Sequence, residues 1–239
     1  MKVFAVSLLS GGLDSTTVTT IAASSTTNLD GLTFFYGQNH SKEIEQAKLV
    51  AEHLGIHHKV ISIESFKELA WYSALTDKES NDIPIDNKFI GNQIPITYVP
   101  LRNSMFVTLA ASYLESKILY AIEQNKENPN NIEAHIFLAP NIVDYSGYPD
   151  CRPEFYKSIS HTINLGSKIY NEYNIKFTIK TPIINLSKKE IILLARTISA
   201  PLDKTWSCYQ NEPTPCQKCD SCILRAKGFN EAGMQDPIL

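Results

Sequence analysis

The sequence predicts an α/β protein built on a doubly wound parallel sheet, with a small four-cysteine appendage at the C-terminal end. Three observations carry this. Apolar, β-branched runs alternate with amphipathic stretches through the first sixty or so residues, the β-α-β-α-β rhythm that pairs strands in parallel. The first run ends in a glycine pair opening a hydroxyl-rich helix start, Ser10-Gly11-Gly12-Leu13-Asp14-Ser15-Thr16-Thr17. Four of the five cysteines fall within fifteen residues, Cys208, Cys216, Cys219 and Cys222. The expected division is an α/β domain over 1–200 and a metal-binding segment over 201–239.

The elements follow in order. Val3 to Leu9 is apolar but for Ser7, as suits a strand buried on both faces. After the glycine pair, Val18 to Ala23 continues a helix. Gly31-Leu32-Thr33-Phe34-Phe35-Tyr36 reads as a second strand. Ser41 opens a helix with Ile44, Ala47, Ala51 and Leu54 on one face, closed by Gly55. His58 to Ile63 is a third strand. Residues 64–100 are less regular, with a polar loop over 76–87 and an extended piece between Pro95 and Pro100. A long helix runs from Leu101 to about Glu123, its polar start Arg102-Asn103-Ser104 preceding an apolar body. Asn125 to Asn131 reads as a solvated insertion, and His135 to Ala139 as a fourth strand. A helix is expected over 153–167. Lys176 to Pro182 alternates like a strand near an edge, and Ser187-Lys188-Lys189-Glu190 has capping-box spacing.

Bulk properties exclude several function classes. A net charge of −3 gives no broad footprint for nucleic acid. No uninterrupted apolar run reaches the ~20 residues of a membrane span, and the N-terminus lacks the pattern of a secretory signal. Cysteines clustered rather than scattered suit metal binding in a reducing compartment, so a cytoplasmic protein is expected.

A strand, a glycine turn and a helix start together point several backbone N–H groups outward, the setting that binds an anion. Gly11 and Gly12 let a phosphate approach, and Ser10, Ser15, Thr16 and Thr17 add hydroxyl donors. No Gly-Lys-Ser/Thr follows, so a lysine-bearing P-loop is absent. No G-x-G-x-x-G occurs either, so a dinucleotide fold is not indicated. The four cysteines, spaced C-x₇-C-x₂-C-x₂-C, can close a tetrahedral site with no open position, which makes its role structural. Iron–sulfur is the rival, but a ferredoxin run needs Cys-Pro three residues on, where Ala226 and Lys227 stand. Zinc is therefore expected. Cys151 stands apart and reads as a small buried hydrophobe rather than a nucleophile. The segment Asn141 to Pro153 is dense in polar and aromatic groups, where a strand's carboxyl end meets the next helix, the usual ligand crevice of such sheets.

The glycine loop resembles the pyrophosphate-binding loop of the ATP-pyrophosphatase (PP-loop, adenine nucleotide alpha hydrolase-like) enzymes, which cut ATP between its α- and β-phosphates. Within that group the chain resembles the 7-cyano-7-deazaguanine synthase family. The resemblance rests on Tyr36-Gly37-Gln38-Asn39-His40, Val99-Pro100-Leu101-Arg102-Asn103, Asp144 through Arg152, and Trp206-Ser207-Cys208-Tyr209 with the cysteine cluster. It spans nearly the whole chain, and departs where Asn39 replaces a usual arginine and Ala139-Pro140 a Gly-Val-like turn. It implies ATP-dependent conversion of 7-carboxy-7-deazaguanine and ammonia to a nitrile through adenylated intermediates, in queuosine biosynthesis. It implies ATP with Mg²⁺ on Leu9 to Thr17, with Asp14, Ser15 and Arg102 in catalysis. The deazaguanine would lie against Arg102, Asp144, Tyr148, Asp150 and Arg152, and structural zinc on the four cysteines. The family's habit is a homodimer. Two other classes stay open: a superfamily relative that adenylates a tRNA base or another carboxylate, and a non-enzymatic zinc-ribbon module. The second leaves the loop at 10–17 and some two hundred preceding residues without a purpose.

Overall fold

A computed structural model describes residues 1–37, 42–76, 94, 96–142, 148–210 and 213–239. The strands are β1 (Lys2–Leu8), β2 (Asn28–Phe35), β3 (His57–Ser62), β4 (Ile132–Phe137) and β5 (Phe177–Lys180). The helices are α1 (Leu13–Ser25), α2 (Lys42–Leu54), the short α3 (Phe66–Leu69), α4 (Arg102–Glu123), α5 (Pro153–Leu165), α6 (Lys168–Tyr173), α7 (Lys188–Thr197) and α8 (Asp220–Glu231). The sheet has the order β3-β2-β1-β4-β5, and all four pairings are parallel.

That order places a switch point between β1 and β4. The chain winds outward from β1 to β3, then returns to β1's other side. Neighbouring carboxyl ends at such a point lead to loops that diverge and leave a crevice. Both faces are covered. On one, Val107, Leu114 and Ile118 of α4 and Ile163 and Ile169 of α5 and α6 pack on Phe4, Val6 and Ile136. On the other, α1, α7 and α8 bury Leu13, Val18, Ile191 and Phe229 against Ala5 and Phe137. Alongside them α2 packs Ala47, Val50 and Ala51 around Leu9. Two-sided cover explains why β1 and β2 carry almost no polar alternation.

The expected elements are present, with differences at their ends. The helix expected over 153–167 ends at Leu165, and Ser167 caps a second helix, α6, through the Tyr170 N–H. A capping serine two residues past a helix end is a restart signal that apolar periodicity alone passes over. The capping box at Ser187 and Glu190 forms in full. Asn125 to Asn131 is the exposed connection from α4 to β4, its 3₁₀ turn held by the Asn128 side chain. The polar loop over 76–87 lies largely outside the described residues. By length and composition α4 could cross a membrane, but its apolar face lies in the core.

The C-terminal segment is tied in by a buried ion pair. Arg225 of α8 donates to both Asp236 oxygens at 2.7 and 2.9 Å, and both side chains are 5% exposed. The same guanidinium reaches Thr205 Oγ1 at 2.8 Å and Ser207 Oγ at 3.2 Å. Removing one partner of such a pair strands the other charge, so Arg225→Ala should cost about 3–5 kcal/mol. Urea denaturation checks this, and a loss near that of an exposed ion pair would show that Asp236 is solvated.

Candidate functional site

The loop after β1 is where sequence and structure meet most closely. Gly11 takes φ +81°, open to glycine at no steric cost. A Cβ there would fall 2.7 Å from the Ala47 N, and closer still to the Glu43 carbonyl oxygen. The missing side chain therefore lets α2 lie directly on the loop. From the other side, Trp206 N–H donates to the Gly11 carbonyl at 2.8 Å. Ser10 and Ser15 hydroxyls meet at 2.9 Å, and Ser15 Oγ also accepts from the Ser10 N–H.

This loop forms one wall of a cavity of about 390 Å³ at the switch point, lined also by the chain that follows β4 and by the starts of α2, α4 and α7. Leu9, Ser10, Gly12, Leu13, Asp14 and Ser15 line it, as do Arg102 and Tyr148. Other expected residues stand elsewhere. Thr16 and Thr17 are fully buried, and Thr17 Oγ1 donates back to the Leu13 carbonyl. A helix turns about 100° per residue, so only the first positions after the glycines face the cavity, and the expected hydroxyl cluster narrows to Ser10 and Ser15. Arg152 is exposed at the start of α5, away from the cavity lining. Asp150 is buried within electrostatic reach of Arg102, at 6% exposure, with Oδ1 lacking a hydrogen-bond partner. Asp144 and Asn39 lie outside the described residues.

Arg102 enters the cavity under strain. Leu101 before it has φ 54° and no side-chain cap, a conformation costing a leucine about 1 kcal/mol or more. Arg102 Nη1 donates to Tyr36 Oη at 3.3 Å, and the guanidinium lies near the Phe106 ring. Burial works against its charge, but Tyr36, Tyr148 and Asp150 more than offset that and hold its pKa above the ordinary value. Burial pushes the Asp150 carboxyl up against the pull of Arg102. The same burial pushes the Cys151 thiol up to about 12, so it stays protonated at neutral pH.

Two charged cavity residues were not singled out from the sequence. Lys188, first residue of α7, places Nζ 2.8 and 2.7 Å from the Asp14 oxygens. The lysine missing from the loop thus arrives from a helix 174 positions later. Its signal was hidden in the capping box, which accounted for the local sequence without it. Gly228 of α8 makes room for it: a Cβ there would lie 2.9 Å from Lys188 Cβ. Glu43, in the first turn of α2, is half-buried in the same wall.

The four cysteine sulfurs lie within 4.8 Å of one another, with Cys216 and Cys222 Sγ 3.9 Å apart. A tetrahedron of ~2.3 Å metal–sulfur bonds has edges of about 3.8 Å, so these residues can bind a metal. Backbone N–H groups point at the sulfurs, as from Gln210 and Cys216 to Cys208 and from Cys219 to Cys216, each at 3.3 Å. Such bonds favour thiolates.

Fold and site define a class: a PP-loop, nucleotide-binding α/β protein. A family model described as "Queuosine biosynthesis protein QueC" matches residues 4–233, and the chain belongs to that family. Curated relatives named "7-cyano-7-deazaguanine synthase" are similar along nearly their whole lengths. The protein from Picrophilus torridus is 43% identical, over 98% of this chain and 90% of its own. That from Oceanobacillus iheyensis is 42% identical, over 98% and 96%. That from Prochlorococcus marinus strain AS9601 is 44% identical, over 95% and 93%. Membership makes the protein an enzyme of queuosine biosynthesis. Among solved structures, NMN synthetase from Francisella tularensis is alike at a TM-score of 0.44 and 18% identity, over 97% of this chain and 77% of that one, too distant to bear on the site.

Gly11→Ala should destabilise the fold by at least about 2 kcal/mol, since strain in φ adds to a backbone collision. A calorimetric scan checks this; an unchanged Tm would mean that α2 can retreat freely. Cys219→Ala should abolish stoichiometric metal binding, measured by elemental analysis. It should also cost on the order of 5 kcal/mol or more of folding energy.

Proposed function

We propose that this protein converts 7-carboxy-7-deazaguanine and ammonia to 7-cyano-7-deazaguanine at the expense of ATP, through adenylated intermediates. The observation that carries the reading is the convergence of an anion cradle, Lys188 and Arg102 on one cavity. A carboxylate resists ammonia until one oxygen becomes a good leaving group. Attack by that oxygen on the α-phosphorus gives an acyl-adenylate and frees pyrophosphate. The N–H groups and hydroxyls at Ser10 to Ser15 meet the developing charge, fixed in place before the reaction. Lys188 turns from Asp14 toward the pyrophosphate, and Asp14 keeps its ammonium in the cavity between turnovers. Ammonia then displaces AMP to give the amide. Adenylation of the amide oxygen and loss of AMP give the nitrile.

Arg102 pairs with the substrate carboxylate, for which a fixed guanidinium fork is suited. Tyr148 offers a ring for the heterocycle to lie against, held through its hydroxyl 2.9 Å from Thr97 Oγ1. Asp150 supplies an acceptor for the N–H edge of the base, and its unpartnered Oδ1 supports that role. We assign Asp144 to the same substrate on the resemblance alone, while Arg152, exposed and outside the cavity lining, is left out of the site. Zinc on the four cysteines holds the C-terminal segment and has no open position for chemistry. Mg²⁺ neutralises phosphate charge when ATP is bound. Among the described residues no cluster of three carboxylates or histidines lines the cavity, so phosphate oxygens and water would supply most of its ligands, with Asp14 the carboxylate on the loop. The reading carries with it a cytoplasmic homodimer acting on a small molecule, residues 1–200 holding the reaction and 201–239 the zinc. The net charge of −3 supports a free base over a tRNA as substrate.

Purified protein should release pyrophosphate and AMP when given ATP, ammonium and 7-carboxy-7-deazaguanine, and not with unrelated carboxylates. No substrate-dependent pyrophosphate would remove the reading. Asp150→Asn should raise KM for the deazaguanine about tenfold or more, with KM for ATP unchanged.

A further inference from the structure

We propose that Glu43 is the proton acceptor that turns bound ammonium into the attacking amine. The assignment rests on the reaction proposed above and adds a residue to it. The first turn of α2 is locked in place, because the Glu43 backbone lies on the Cβ-free side of Gly11. Its side chain lines the same cavity as Arg102 and is within electrostatic reach of that guanidinium. Glu43 thus shares one cavity with the glycine loop, assigned above to the pyrophosphate, and with Arg102, assigned above to the carboxylate.

The other candidates are otherwise engaged. Among the described residues the remaining carboxylate of the cavity wall is Asp14, which sits on the glycine loop assigned above to the pyrophosphate and pairs with Lys188. Asp150 is outside the cavity lining and is assigned above to the N–H edge of the base. Tyr36 and Arg102 are in electrostatic reach of Glu43, and Tyr148, Cys151 and the cations Lys188 and Arg225 line the same cavity. Burial raises the Tyr36 hydroxyl and the Cys151 thiol, leaving both neutral near pH 7. Arg225 is committed to Asp236. Burial pushes the Glu43 carboxyl up to about 7, with Arg102 pulling the other way. Such a group is ionised enough to accept a proton at neutral pH and basic enough to want one.

The step balances without another reactant. The Glu43 carboxylate takes one proton from ammonium, freeing the nitrogen lone pair. That pair forms the C–N bond as the C–O bond to phosphate breaks, and AMP leaves with the electrons. The new C–NH₃⁺ group loses its second proton to water.

The test compares the metal-loaded, full-length enzyme with Glu43→Gln, which keeps the shape of the side chain. The variant should release pyrophosphate in a single turnover within about threefold of wild type. Its amide formation from ammonium at neutral pH should fall about a hundredfold, within the range of lost acid–base catalysis. Hydroxylamine, already neutral at that pH, should restore acyl transfer in the variant. In wild type, the amide-forming rate at fixed total ammonium should level off above about pH 7. A variant slow with hydroxylamine too, a variant without pyrophosphate release, or a wild-type rate that keeps climbing with free ammonia each overturns the assignment of Glu43 alone. A wild type that releases no pyrophosphate overturns the proposed reaction, and this assignment with it.

Discussion

The site depends on how Gly11 is gripped. Its carbonyl accepts the Trp206 N–H, and its Cβ-free side is filled by the backbone of α2 at Glu43 and Ala47. A glycine loop left alone samples many backbone states, and ordering it would use up much of the energy of binding an anion. Clasped from both sides, the N–H groups at the start of α1 are set before any ligand arrives. The clasp is reinforced where α2 meets the C-terminal segment: Lys42 Nζ sits 4.0 Å from the Trp206 ring centroid and donates to the Pro213 carbonyl.

The cysteine centre matters through this contact. Trp206 lies two residues before Cys208, and its indole N–H donates to the Cys208 carbonyl at 3.0 Å. A metal that fixes Cys208, and an Arg225–Asp236 pair that fixes Thr205 and Ser207, together fix the strip of chain lying on the loop. The same helix α8 carries Gly228 beneath the stem of Lys188. An appendage distant in sequence from the chemistry thereby positions both the cradle and the ammonium group that faces it.

The cavity also concentrates charge of both signs at little cost to the fold. Lys188 and Asp14 neutralise each other, so the walls stay tolerable without ligand. Arg102 is held among aromatic rings and hydroxyls, supported by a left-handed Leu101 that a relaxed chain would avoid. Strain in one residue and pairing in the next are the local deviations that turn a regular α/β framework into a reactive one.

The sequence by itself determined the parallel sheet, the loop, the long apolar α4 and the four-cysteine spacing. Each is a local pattern: β-branched runs, a glycine pair before hydroxyls, helical periodicity, thiols at metal-ligand intervals. It also carried the resemblance by which Arg102, Tyr148 and Asp150 were named. The folded chain alone decided which hydroxyls face the cavity, because a single step along α1 turns Thr16 and Thr17 away from Ser15. It likewise decided that Arg152 stays outside, that Lys188 supplies the ammonium group, and that Glu43 lies over the loop. These are meetings of residues tens to hundreds of positions apart, set by the order β3-β2-β1-β4-β5 and by the packing of α7 and α8. Local pattern reports what a segment can become, whereas the partner it meets depends on how the sheet winds, and no short stretch of sequence records that.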